Sequence, residues 1–66
     1  MKLTVNGAPH EHGGSGSVAA LLEELGAVKA HTALMVNGAV VPASEWEVVK
    51  LEEKDEIEML VFVGGG

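Results

Sequence analysis

The stretch "SVAALLEELG", residues 17–26, predicts the main helix around which this chain is organised. Ser17 is a residue type that caps the first free amides of a helix, and Gly26 suits the left-handed position after the last turn. Between them, apolar residues recur at helical spacing and form one stripe: Val18, Leu21, Leu22 and Leu25. Because such a stripe must be covered, the helix is predicted to pack on one face of a sheet.

Two Asn-Gly pairs predict a hairpin on each side of this helix. Residues 2–5, "KLTV", alternate between apolar and polar, and the Asn-Gly pair at 6–7 leads into a short, polar edge strand. After the helix, "HTALMV" at 31–36 is followed by the Asn-Gly pair at 37–38 and a second short strand. Asn and Gly both tolerate positive φ, which explains the preference for this pair in tight turns.

The last predicted strand, "IEMLVFV" at residues 57–63, is the most apolar and fits a central position in the sheet. Alternation places Leu60, Phe62 and Glu58 on the face away from the helix. The helix-facing set comprises Ile57, Met59, Val61 and Val63. The order strand, strand, helix, strand, short strand, connection, strand predicts an α+β chain with the β-grasp (ubiquitin-like) fold, in which four to five strands form a mixed sheet.

Composition limits the classes of function. The 66 residues predict a single domain over 1–63, followed by a flexible glycine tail at 64–66. The formal net charge of −6 disfavours nucleic acid as a partner, and no segment reaches the roughly 18 apolar residues that cross a membrane. The absence of Cys excludes disulfides and is compatible with the cytoplasm, where we expect a soluble protein.

Conventional catalytic and metal-binding patterns are weak in this sequence. No nucleophile, base and acid can be combined into a catalytic set, so no catalytic residue is predicted. His10 and His12 lie on the same side of the edge strand, but no third ligand is evident, and surface histidines without metal are the favoured interpretation. "GGSGS" at 13–17 is interpreted as a connection to the helix instead of a phosphate-binding loop, and the acidic pairs at 23–24 and 52–53 as solvated surface.

Two features near the C-terminal end of the sequence are candidates for a functional role. Leu60 and Phe62 are large apolar side chains on a face that a single-layer sheet leaves wet, unless a partner or the polar connection at 43–56 covers them. Beyond them, the triplet at 64–66 presents main chain without side chains, which suits threading into an enclosed enzyme site. Conversion of its carboxylate to an acyl-adenylate would create a leaving group for attack by sulfur.

In this order and length, the capped helix, "VNGAVVP" at 36–42, "SEW" at 44–46, "LEEKDEIE" at 51–58 and the terminal "VGGG" resemble the ThiS family of sulfur carriers in thiamin biosynthesis. The resemblance covers essentially the whole chain. It differs at Lys54, where relatives commonly have Gly, and a turn that needs positive φ there would cost about 1 kcal/mol.

The resemblance implies a carrier that is not itself an enzyme, is monomeric when free and binds no cofactor. Gly66 would be adenylated by a ThiF-type adenylyltransferase with ATP and Mg, then converted to a thiocarboxylate with sulfur from a sulfur-donating protein. Gly64 and Gly65 would thread into partner active sites, Leu60 and Phe62 would form partner-binding surface, and thiazole synthase (ThiG) would take the sulfur. The alternatives are a MoaD-like small subunit of molybdopterin synthase and a non-catalytic β-grasp interaction module.

Overall fold

The computed structural model of the chain describes residues 1–62. Val63 and the predicted glycine tail at 64–66 lie outside the described residues. The described part contains one α-helix, α1, at Val18–Glu24, and two short 3-10 turns at Lys29–His31 and Ala43–Glu45. Its strands are β1 Lys2–Val5, β2 Ala8–Glu11, β3 Thr32–Val36, β4 Ala39–Val40 and β5 Glu56–Val61. No helix within residues 1–62 is long and apolar enough to cross a membrane.

The strands form a single mixed sheet in the order β2-β1-β5-β3-β4. β5 lies in the centre, parallel to β1 and antiparallel to β3, while β2 and β4 are the antiparallel edges. Both Asn-Gly pairs make the predicted hairpin turns, with φ of 49° and 82° at 6–7 and of 50° and 85° at 37–38. The predicted β-grasp fold is therefore confirmed, including the central position of the last strand.

The caps of α1 follow from its sequence. The Ser17 hydroxyl accepts a hydrogen bond from the Ala20 amide at 3.1 Å, which satisfies one of the free amides of the first turn. At the other end Gly26 has φ of +73°, and the Ala27 amide donates to the Leu22 carbonyl at 2.9 Å. This left-handed cap ends the helix after two turns, as the sequence predicts.

The core lies between α1 and the sheet, and the connection between β4 and β5 closes it on the helix side. Trp46 is 2 % exposed, and its indole Nε1 donates to the Val41 carbonyl at 2.8 Å. The Ala19 amide of α1 donates to the Trp46 carbonyl at 2.8 Å, which fixes the connection against the helix. The remaining buried apolar side chains are Leu3, Val18, Leu21, Leu22, Leu34, Leu51 and Ile57. The alternative in which this connection covers Leu60 and Phe62 is therefore wrong.

Two residues have positions that their type or spacing in the sequence does not indicate. Ser44 is a residue type that caps helical turns, yet it lies inside the 3-10 turn at Ala43–Glu45, whose N-cap residue is Pro42. Val61 was assigned to the helix-facing set, yet it is 60 % exposed. A helix of seven residues is about 10 Å long, whereas the six residues of β5 span about 20 Å, so α1 does not cover the end of the strand.

The side chains of the two turn asparagines fix the position of β5. Asn6 pairs with both main-chain groups of Met59: its Oδ1 accepts from the amide at 2.8 Å and its Nδ2 donates to the carbonyl at 3.2 Å. Asn37 Oδ1 accepts from the Glu56 amide at 2.9 Å on the opposite side of the strand. These carboxamides take the place of backbone partners where β1 and β3 end, so β5 is held from both sides.

The turn before β5 contains Lys54, the position at which this sequence differs from the pattern that it resembles. This residue has φ of +71°, so the turn does require the left-handed conformation that favours Gly. The Lys54 amide donates to the Lys2 carbonyl at 2.6 Å, and the Asp55 carboxylate accepts from the Glu52 amide at 2.8 Å. Asp55 also accepts from the Asn37 carboxamide at 3.0 Å. These bonds hold the strained turn in place.

Candidate partner-binding face

The side of the sheet that faces away from α1, here called the open face, carries the two apolar residues singled out in the sequence. Ile57 is 1 % exposed on the core side of β5, and alternation along the strand turns Leu60 and Phe62 to the other side. They are 57 % and 56 % exposed. Their predicted position agrees with the structure, and their role in binding a partner stays a prediction.

The neighbouring strands extend this apolar surface. Ala33 on β3 is directly opposite Leu60, and Met35 on β3 is opposite Val40 on β4, so all of these side chains share the open face. Val40 is 71 % exposed. Exposed apolar area of this kind on a small, acidic protein is typical of surfaces that other proteins cover, and for this chain that role stays a prediction. The sequence alone did not identify Met35 and Val40, because the strand register decides which side chains adjoin Leu60.

The open face of β5 has an acidic half as well as an apolar half. Glu56 and Glu58 precede Leu60 on the same side of the strand, and both are exposed. Glu56 is opposite Thr4 on β1, and Glu58 is opposite Met35 on β3. Along its exposed side the central strand therefore changes from acidic to apolar in the direction of the glycine triplet.

The chain leaves the sheet from this apolar half. The Phe62 amide donates to the His31 carbonyl at 2.7 Å, one residue beyond the end of β5. The residues that follow it, including Gly64, Gly65 and Gly66, lie outside the described residues. Their predicted roles in threading and modification stay predictions, and the structure fixes only the point from which they start.

A second polar site lies between β2 and α1, where the sequence had indicated ordinary surface. The Glu24 Oε1 atom accepts hydrogen bonds from His10 Nε2 at 2.7 Å and from His12 Nδ1 at 3.0 Å, and Oε2 accepts from the Gly13 amide at 2.9 Å. His12 is 3 % exposed, and its Nε2 accepts from the Gly16 amide at 3.0 Å. The interpretation of His12 as a surface histidine is therefore wrong. Glu24 is exposed, as the sequence indicates, and it also binds both histidines.

This cluster lowers the pKa of the Glu24 carboxyl group. The hydrogen bond from His10, the hydrogen bond from the Gly13 amide and that from His12 hold the pKa of the Glu24 carboxyl at about 2, below its ordinary value of 4.5. Each of these donors favours the charged form of the carboxyl. The arrangement ties the edge strand and the Gly-rich connection to the helix, which is a structural role.

The other candidate sites from the sequence have structural explanations. Within residues 1–62, no group of three or more His, Asp or Glu side chains is placed to hold a metal ion. The Gly-rich connection is used for packing, because a Cβ at Gly14 would lie 2.7 Å from His12 Cε1. Ser17 is occupied as the cap of α1. The open face, by contrast, has exposed apolar side chains that no internal contact explains.

Comparisons with known proteins agree with this arrangement. The ThiS family model matches residues 3–66. A crystal structure of the thiamine biosynthesis protein (ThiS) from Geobacter metallireducens has a TM-score of 0.80 and 33 % identity, with both chains covered completely. A solution structure of a thiamine biosynthesis protein from the same organism has a TM-score of 0.78 and 33 % identity, covering all of this chain and 88 % of that one.

Two longer proteins contain a segment similar to the whole chain. They are the proteins named thiazole synthase from Paramagnetospirillum magneticum and Magnetococcus marinus, each 38 % identical over 66 residues. The chain spans about a fifth of the length of these curated relatives, 20 % in each case. With the family model matching residues 3–66 and a ThiS structure aligned over its full length, this chain belongs to the ThiS family.

Proposed function

We propose that this chain carries sulfur on the carboxyl group of Gly66 and delivers it for assembly of the thiazole ring. A ThiF-type adenylyltransferase, using ATP and Mg, activates the carboxylate. A sulfur-donating protein then supplies the sulfur, and thiazole synthase (ThiG) receives it from the thiocarboxylate. Membership of the ThiS family supports this proposal.

The chemistry requires activation because a carboxylate is a poor acyl electrophile. Attack of a carboxylate oxygen on the α-phosphorus of ATP releases pyrophosphate and gives an acyl-adenylate. Sulfur at the oxidation level of sulfide then attacks the carbonyl carbon and displaces AMP, which leaves a thiocarboxylate. A donor that presents the sulfur as a persulfide would also need a thiol to cleave the S–S bond formed. In this scheme the chain is a co-substrate, and the activating enzyme supplies the catalytic groups.

The observation that carries the proposal is the open face. Leu60 on the central strand and Phe62 just after its end remain more than half exposed, and the glycine triplet follows them in the sequence. An enzyme that covers these side chains therefore contacts the part of the domain from which the triplet starts. The absence of side chains at 64–66 then lets the main chain enter a narrow active site.

The thiazole pathway is favoured over the molybdopterin pathway by the relatives. Proteins named thiazole synthase contain a segment 38 % identical to this chain, so a domain of this kind occurs covalently joined within them. Physical association of two activities in one polypeptide supports a partnership between this chain and thiazole synthase.

Intact-mass analysis tests the proposal. The protein is incubated with ATP, Mg, a ThiF-type enzyme and a sulfur source, and its mass is compared with that of the starting material. We expect a species in which one oxygen is replaced by sulfur, located on the C-terminal peptide. The matched control lacks Gly64, Gly65 and Gly66, so that no glycine carboxylate ends the chain, and it should fold normally but remain unmodified. Unmodified wild-type protein in a reaction that converts a known carrier would contradict the proposal.

Substitutions on the open face test the partner-binding surface separately. Leu60→Ala and Phe62→Ala should each slow adenylation by about tenfold or more, because large apolar anchors contribute most to binding at interfaces. Val48 is 71 % exposed on the connection at the helix side, so Val48→Ala is the matched control and should react normally. Equal rates for all three variants would exclude the open face as the docking surface.

A further inference from the structure

Glu58 occupies an unusual position for a charged side chain. It lies on the central strand of the open face, opposite Met35 on β3 and two residues before Leu60 on the same side. Two apolar side chains therefore adjoin its carboxylate within the plane of the sheet. The Glu58 carboxylate is hydrated while the open face is exposed to solvent, and it loses that hydration when a partner covers the face.

The domain does not neutralise this charge itself. Among residues 1–62, the contacts between basic groups and carboxylates join the N-terminal amine to Glu11, and the imidazole rings of His10 and His12 to Glu24. All of these involve β2 or the loop that follows it. Glu58 accepts no side-chain hydrogen bond in the described part of the chain either, since Asn6, at the end of β1, uses its carboxamide on the Met59 backbone.

A partner that covers Leu60 must cover Glu58. Two residues along a strand separate the side chains by about 7 Å. A standard interface buries about 800 Å² on each partner, which is a patch about 30 Å across. Any footprint of this size centred on Leu60 and Phe62 includes Glu58 and extends to Glu56.

Burying a carboxylate without a counter-charge costs several kcal/mol, so the covering surface has to compensate it. We propose that the ThiF-type adenylyltransferase presents a Lys or Arg side chain to Glu58, at the edge of an apolar contact with Leu60 and Phe62. This inference rests on the proposed function and specifies the chemistry of the partner surface. Glu56 adds a second negative charge beside the contact, and the net charge of −6 favours approach to a basic surface.

Binding measurements with charge variants test the inference. Glu58→Gln retains the shape of the side chain and removes its charge, while Glu58→Lys reverses the charge. Glu47 is exposed on the connection, next to the buried Trp46, so Glu47→Gln and Glu47→Lys change the net charge equally away from the open face. Dissociation constants with the adenylyltransferase are measured at low and high salt, and thermal unfolding verifies that every variant is folded.

We expect Glu58→Gln to weaken binding at least about tenfold and Glu58→Lys to weaken it further, because each leaves the partner's cation unpaired in the interface. The control variants should bind within about twofold of wild type. The defect of Glu58→Gln should persist at high salt, since buried pairs are screened much less than exposed ones.

The outcomes separate this inference from the proposed function. If wild-type protein becomes thiocarboxylated while Glu58→Gln binds as tightly as Glu47→Gln, the inference is overturned and the carrier function stands. A loss that disappears at high salt also overturns it, because long-range steering would then explain the effect. If wild-type protein neither binds the adenylyltransferase nor is modified, both fail.

Discussion

Replacement of Lys54 by Gly should stabilise the domain, and the structure gives the expected size of the effect. Lys54 has φ of +71°, a left-handed conformation that costs a residue with a Cβ about 1–2 kcal/mol. Gly removes this cost, but it also increases the conformational entropy of the unfolded chain, which lowers the stability by about 0.4–1 kcal/mol. With mid-range values of about 1.5 kcal/mol for the strain and about 0.7 kcal/mol for the opposing entropy, the net gain in the free energy of unfolding is about 0.5–1 kcal/mol.

The matched control is Lys54→Ala, because Ala removes the same charge and retains the Cβ. The Lys54 amide keeps its 2.6 Å hydrogen bond to the Lys2 carbonyl in both variants. Urea unfolding of wild type and the two variants gives their free energies of unfolding. In thermal scans the Tm of Lys54→Gly should exceed that of Lys54→Ala by about 2–8 °C. If Lys54→Gly and Lys54→Ala have the same free energy of unfolding, backbone strain at this turn is refuted. If both are also more stable than wild type, loss of the lysine charge is the cause.

Three further results are expected. The Glu24 carboxyl has its pKa lowered to about 2 in the folded protein from 4.5, so its contribution to stability is complete above about pH 5 and is lost as the pH falls towards 2. The urea midpoint of Glu24→Gln should therefore decline less steeply over this range than that of wild type, whereas Glu23→Gln, at the adjacent exposed position, should decline like wild type. Gly14→Ala should cost about 1–3 kcal/mol by urea unfolding, because the new methyl group would lie 2.7 Å from His12 Cε1; an unchanged midpoint would show that the ring moves freely. Trp46→Phe should lose about 1–3 kcal/mol in the same assay, since it leaves the part-buried Val41 carbonyl without the indole donor at 2.8 Å; no loss would mean that water replaces the indole.

Local signals in the sequence were sufficient for most of the fold. The two Asn-Gly pairs predict both hairpins because few residue pairs tolerate successive positive φ angles. Ser17 and Gly26 mark the ends of α1 through hydrogen bonds within a few residues of themselves. Alternation along β5 also placed Leu60 and Phe62 on the open face.

The sequence could not show contacts that depend on how distant elements meet. Glu24 is 14 residues from His10 and 12 from His12, and only the packing of α1 against the edge strand joins them. Likewise, the Asn6 side chain pairs with Met59 at a separation of 53 residues, a role that turn chemistry does not indicate. Glu58 was assigned correctly to the open face, but the absence of a cation beside it within residues 1–62 required coordinates.

The hydrogen bonding of β5 determines how the domain responds when an enzyme pulls on the glycine end. Tension applied beyond Phe62 acts along β5, whereas its main-chain bonds to β1 and β3 lie across the strand. The load therefore shears several bonds at once, including those from the Asn6 and Asn37 carboxamides, instead of opening them one after another. The domain is therefore expected to withstand tension on its C-terminal end without unravelling the strand that carries it.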